Sequence, residues 1–181
     1  MYCGKNKTAV GSQRQIAEAL LALLREERLD EVSVSAVCRR AEVSRQTFYS
    51  LFQSKENVIT FALRNDCGYP AEEHPAEECH PSAREVCRGF SRYIIRHAAL
   101  LELLAENEVM PLLRSVLRED FSHCAEIRAC IRPSAWEYAV DYMAAGITSV
   151  AETYIRLGRR EDEDQLTEII GALLQGECFR I

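Results

Sequence analysis

Apolar residues recur along the chain at spacings of three and four, with no sustained period of two, so the pattern predicts helices throughout and no strands. A capping-box pattern, Ser12 with Gln15, opens SQRQIAEALLALLREER and sets Ile16, Leu20, Leu23 and Leu24 on one face of a first helix. A short second helix follows in SVSAVCRR, with Ser33 as its cap, Val34, Val37 and Ala41 at helical spacing, and a break around Glu42 and Val43. Ser44 is placed to cap a third helix, RQTFYSLF. Ser54 caps a fourth, KENVITFALRND, which Cys67, Gly68 and Pro70 end.

Residues 65–82 hold three of the five prolines and four glutamates without apolar periodicity, which reads as a solvated linker. Beyond it, Ser82 and Glu85 form another capping box, and Val86, Phe90, Ile94, His97 and Leu101 fall on one face of a long helical region. After a break between Asn107 and Pro111, Leu113, Val116, Leu117, Phe121, Cys124, Ile127 and Ile131 predict a single helix ended by Pro133. Then Trp136, Val140, Met143, Ile147, Val150, Tyr154 and Leu157 alternate spacings of four and three in a heptad-like seam. Leu166, Ile169, Ile170, Leu173 and Leu174 mark a last amphipathic helix. The expected fold class is all-α, with about nine helices: a helix-turn-helix domain over residues 1–67 and a helical dimerisation and effector domain over residues 68–181.

Charge divides the chain at the same place. The 181 residues carry a net charge of −6, yet residues 1–67 have ten Lys/Arg against eight Asp/Glu while the remainder has twelve against twenty. A mildly basic head on an acidic body suits a polyanion partner at one end only. The first fifteen residues lack an apolar core of signal-peptide type, and the longest nearly uncharged stretch, Tyr142 to Ala151, is half of what a bilayer span needs. The expectation is a cytoplasmic protein without a membrane span. Eight cysteines, none paired as C-x-x-C, read as free thiols. No nucleophile elbow, H-E-x-x-H helix or phosphate-binding glycine loop is present, so no enzyme and no cofactor are expected.

The third helix carries the candidate chemistry. On a wheel of 100° per residue, Phe48, Leu51 and Phe52 cluster, Gln46 and Ser50 point the opposite way, Thr47 and Tyr49 flank them, and Arg45 stands at the N-terminal end. A helix anchored by aromatics on one side and offering donors on the other suits the major groove, where Arg pairs bidentately with guanine and Gln with adenine. Ser33, Ser35 and Ser44 sit at helix N-termini, where hydroxyls and free backbone N–H groups bind phosphate, and Lys55 begins the fourth helix.

Residues 8–64 resemble the helix-turn-helix domain of the TetR family of transcriptional regulators. The resemblance rests on Ser33, Val34, Ala41, Val43, Ser44, Thr47, Tyr49, Phe52, Lys55 and Glu56 in their order and spacing. It implies that Arg45, Gln46, Thr47 and Tyr49 face DNA, that Lys55 meets a phosphate, and that a homodimer binds a palindromic operator in double-stranded DNA. Two departures stand out: Glu42 replaces the usual turn glycine and Cys38 a common alanine. The last two helices are similar to a TetR subgroup in which they pair with their symmetry mates.

That implication and the seam agree on a dimer interface of Trp136, Val140, Met143, Ile147, Val150, Tyr154, Leu166, Ile170 and Leu173, although such a stripe also serves as an internal core seam. An unidentified small-molecule or protein effector is expected to act on the body, with Tyr93, His97, Met110, Tyr138 and Tyr142 as candidate pocket residues. His97 on an apolar face equally reads as a core histidine. Repression by blocking polymerase is the expected output. The alternative is a metal- or thiol-responsive sensor using Cys67, His74, Cys79, His80 and Cys87, whose spacing fits no structural zinc pattern.

Overall fold

The computed structural model describes residues 7–66 and 82–175. The described residues form ten α-helices, a 3₁₀ turn and no strands, and they divide into two compact units, Met1–Asp66 and Cys67–Ile181. The first holds α1 (Lys7–Leu23), α2 (Val34–Arg40), α3 (Arg45–Leu51) and α4 (Lys55–Asp66). The second holds α5 (Ala83–Arg96), α6 (Ala98–Glu106), α7 (Pro111–His123), α8 (Ala125–Cys130), the turn Pro133–Ala135, α9 (Trp136–Arg156) and α10 (Glu163–Gln175).

In the head, Ile16, Leu20, Leu23 and Leu24 of α1 are buried, as their spacing requires, and α1 packs on α2, α3 and α4. Val58, Ile59 and Leu63 of α4 close the core from one side, and Phe48, Leu51 and Phe52 from the other. The rings of Phe52 and Phe61 meet edge-on at 5.5 Å, the arrangement that aromatic quadrupoles favour. One boundary differs from the sequence reading. The first helix begins at Lys7, so Ser12 lies inside it rather than capping it. Once the preceding turn is helical, the Ser12 and Gln15 pair is an ordinary i, i+3 pair on the surface.

The body is layered by pairs: α5 against α10, α7 against α9, and α6 against α9. The Ser82 cap is a full capping box, with Glu85 N–H on Ser82 Oγ at 3.3 Å and Ser82 N–H on the Glu85 carboxylate at 2.6 Å. Its return bonds hold the Glu85 carboxyl below the ordinary carboxylate range. Two predicted helices are each broken in two. His97 ends α5 and precedes α6, while Cys124, in extended conformation, separates α7 from α8. Apolar spacing continues across both breaks, because a bend wraps the same stripe around one core, and the count rises to ten helices.

Three helices end in left-handed turns. After α2, Val43 N–H bonds Cys38 O at 3.0 Å and Glu42 N–H bonds Arg39 O at 3.3 Å, a Schellman motif with Glu42 at φ 54°. The α6 terminus repeats it with Glu108 at φ 59°, and α9 ends with Gly158 at φ 80° followed by Arg159 at φ 58°. Glu42 thus occupies the conformation that glycine adopts without a Cβ penalty.

Candidate nucleic-acid interface

The turn at Glu42 and Val43 aims α3. Ser44, extended at φ −74° and ψ 155°, caps it by accepting Thr47 N–H at 2.9 Å, and its Oγ lies 2.8 Å from Thr47 Oγ1. Phe48 is wholly buried and fixes the rotation of the helix about its axis. As a result Ser44, Arg45, Gln46, Tyr49 and Ser50 are exposed together and Thr47 is half-buried. Tyr49 is half-exposed at 50%, its ring held edge-on to Phe48 at 5.4 Å. Ser50 Oγ donates back to Thr47 O at 2.8 Å. Ser33 caps α2 by accepting Ala36 N–H at 3.1 Å, and Ser35 is exposed in the first turn of that helix.

Lys55 is committed differently from the expectation of a free phosphate contact. Its ammonium donates to the carbonyls of Leu29 and Val32, the latter at 2.6 Å, tying the start of α4 to the turn between α1 and α2. Two of its three donors are thereby occupied inside the head; carbonyls do not cancel the charge, so the cation keeps its field while losing its freedom. Cys38 is buried in α2 beside the turn that leads to α3, with Sγ 3.9 Å from Ser44 O. Burial pushes its thiol up, and the nearby Arg45 charge offsets this only in part, which makes it a packing group rather than a nucleophile.

In the body, the predicted interface residues separate. Val140, Ile147, Tyr154, Leu166 and Ile170 are buried within the chain's own core, while Trp136, Met143 and Val150 are half-buried. The stripe that α9 spends inward is Val140, Ala144, Ile147, Ala151 and Tyr154. A second apolar face remains outside, formed by Tyr142 and Val150 of α9 and Leu157 at its C-cap with Ile169 and Leu173 of α10, and it carries two open grooves of about 140 and 270 Å³. Tyr142 spans the helices there by donating to Leu173 O at 3.5 Å. Gly146 lines the first groove, and nothing lies within 4 Å of where its Cβ would stand. Ile169, which the sequence places in the last amphipathic helix but not in the predicted interface, is exposed on this face, off the buried line of Leu166 and Ile170.

The candidate pocket residues also separate. Tyr93 and His97 are buried together, ring centroids 4.7 Å apart, and Met110 is buried. Tyr138 and Tyr142 stand at 82% and 60% exposure on the outside of α9, so they do not share a cavity with the other three. Of the sensor candidates, Cys67, His74, Cys79 and His80 lie outside the described residues. Cys87 is buried in α5, its thiol pushed up by that burial, and no group of three or more potential metal ligands occurs among the described residues. Nor is any described helix long and apolar enough to cross a membrane.

A four-helix head whose capped, outward-facing third helix follows a left-handed turn is a helix-turn-helix DNA-binding unit. Residues 16–60 match the family of bacterial regulatory proteins described as the tetR family. Over these residues the chain is similar to that family. Over 60 residues it is 33% identical to the HTH-type dhaKLM operon transcriptional activator DhaS of Lactococcus lactis subsp. lactis (strain IL1403), a match covering 33% of this chain and 32% of that protein. The chain thus spans about a third of the curated relative it matches. In fold it is similar to Lin0861 from Listeria innocua, with a TM-score of 0.82 at 17% identity over 98% of this chain and 96% of that one. It is also similar to NalD, the secondary repressor of the MexAB-OprM multidrug efflux pump in Pseudomonas aeruginosa, with a TM-score of 0.55 at 18% identity over 91% and 95%.

Proposed function

We propose that this chain is a sequence-specific transcriptional regulator that binds a palindromic DNA operator as a homodimer and represses by occluding polymerase. The observation that carries the reading is the α3 face: exposed polar side chains at the Ser44 cap and at four positions of a helix whose rotation is set by buried Phe48. Arg45 and Gln46 supply bidentate base contacts, Ser44, Thr47 and Tyr49 supply phosphate donors, and the tethered Lys55 cation attracts the backbone without a base preference. Ser33 and Ser35 serve the same backbone from α2.

Homodimerisation rests on the outer apolar face of α9 and α10. Tyr142, Leu157, Ile169 and Leu173 are exposed there on two helices, and a two-fold copy would cover them with the same surface. Pairing also sets two heads at a fixed separation, which a palindrome requires, and an effector acting on the body, small molecule or protein, relieves repression by altering that separation.

The test is titration of the chain into a labelled fragment from upstream of its own gene, at two salt concentrations, with excess unrelated DNA as competitor. Saturable binding that survives the competitor and is lost in Tyr49→Ala supports the reading. Binding that the competitor removes sinks it for that fragment. Transcription from the same fragment in vitro then gives the sign, a fall in transcript supporting repression and a rise overturning it.

A further inference from the structure

We propose that Ser50 is a specificity-determining residue that accepts a hydrogen bond from an exocyclic amino group, and so selects adenine or cytosine on the strand it faces. The inference rests on the reading of α3 as the recognition helix.

A serine hydroxyl has one proton and two lone pairs. Ser50 Oγ lies 2.8 Å from Thr47 O, and a carbonyl oxygen only accepts, so that single proton is spent inside the helix. What Ser50 offers outward is a bare acceptor. Its place is central: it is exposed and lies opposite wholly buried Phe48 on the wheel, beside Gln46.

The other hydroxyls of the face have the opposite polarity. Ser44 Oγ accepts Thr47 N–H at 2.9 Å and shares one proton with Thr47 Oγ1 at 2.8 Å. Two hydroxyl protons less one shared leaves one to donate outward, which suits a phosphate oxygen, an obligate acceptor. An acceptor-only Ser50 is unsuited to phosphate. In the major groove it is equally unsuited to guanine N7 and O6 or thymine O4, which are acceptors, and matches the amino groups of adenine and cytosine. Because adenine faces thymine and cytosine faces guanine, the hydroxyl reads which strand carries the amino group. A donor such as Arg45 reads the complementary set, so the two side chains together cover both polarities.

The experiment is selection of binding sites from random duplex DNA by the full chain and by Ser50→Ala. It is followed by titration of the selected site with the amino group at the affected position deleted, purine for adenine or pyrimidin-2-one for cytosine. The wild-type chain is expected to prefer adenine or cytosine at one position of each half-site, and Ser50→Ala to lose that preference by on the order of tenfold while the other positions and the salt slope stand. Amino deletion should weaken the wild type by a similar factor and leave Ser50→Ala unchanged. The inference is overturned if Ser50→Ala selects the same sites, if the preference lost is for guanine or thymine, or if amino deletion affects both chains alike. In those cases the DNA reading of α3 stands. A wild-type chain that selects no sequence overturns that reading and this inference with it.

Discussion

The head and the body each present one exposed helical face of distinct chemistry, and the two differ in what stands behind them. In the head, α3 is seven residues long and turns Phe48 and Leu51 inward, leaving hydroxyls, the half-exposed Tyr49 ring, an amide and a guanidinium outside. In the body, α9 and α10 bury one apolar stripe and keep a second, with Tyr142, Leu157, Ile169 and Leu173 open to solvent. A polar face is already hydrogen-bonded to water, and its ligand must compete through matched hydrogen bonds. An apolar face makes few such bonds, and its removal from water against a complementary surface favours a partner. Under the proposed function, specificity would belong to the first and affinity for a second copy to the second.

The comparison breaks most visibly at the cores beneath the two faces. Phe48→Ala should lower head stability by about 3–5 kcal/mol, because the ring that sets the rotation of α3 is wholly buried, and urea unfolding followed by circular dichroism would show it. A loss below 1 kcal/mol would mean that α3 is not anchored through Phe48. Next in size, Leu173→Asp should weaken self-association by about 2–4 kcal/mol while leaving the protomer folded, since Leu173 is exposed in it. Sedimentation over a concentration series separates the two effects. An unchanged dimer would move the interface off this face.

Arg45→Ala should cost about 1–3 kcal/mol on a specific site if it pairs with guanine, with no change in melting temperature, because Arg45 is exposed. Lys55→Ala sharpens the contrast: it should both destabilise the head, through the released Leu29 and Val32 carbonyls, and flatten the salt dependence by about one phosphate equivalent without changing base preference. Loss of stability alone would reduce Lys55 to a tether. Glu42→Gly should stabilise the head by up to about 1 kcal/mol, since the φ of 54° suits glycine, and thermal unfolding would report it.

The smallest effect is one of pH. Hydrogen bonds from Ser54 hold the Glu56 carboxyl below its ordinary value, and those from Ser82 do the same for Glu85. A lowered folded pKa gives stability that is present above the unfolded value and lost as pH falls through the folded one. Acid titration should therefore loosen the first turns of α4 and α5, one in each unit, visible as faster amide exchange there. Substituting Glu56 or Glu85 by Gln should remove that pH dependence from the corresponding helix.

Much of this was legible in the sequence, and the reasons differ by region. The head was read from local signals: Ser33, Ser44 and Ser54 each cap a helix through a bond three residues long, and Phe48 sits opposite Gln46 and Ser50 by helix geometry alone. Glu42 in a glycine position already marked the turn that adopts positive φ. The body was read with less success, because its signals were periodic rather than local. The spacing of apolar residues passes unchanged through the bends at His97 and Cys124, so two helices read as one in each place.

What the sequence by itself determined is the all-α class, the caps at Ser33, Ser44, Ser54 and Ser82 and the chemistry offered by α3, which depend on residues within a turn or two of one another, and the charge contrast between the two parts, which composition alone gives. Only the tertiary structure decided which half of the α9 stripe is core and which half is open, that Tyr138 and Tyr142 stand apart from Tyr93 and His97, and that Lys55 is tied to the Leu29 and Val32 carbonyls. A helical wheel states which side chains share a direction, but a helix touched by several others has several directions to bury. Partners distant in the sequence choose among them, and no local pattern records that choice.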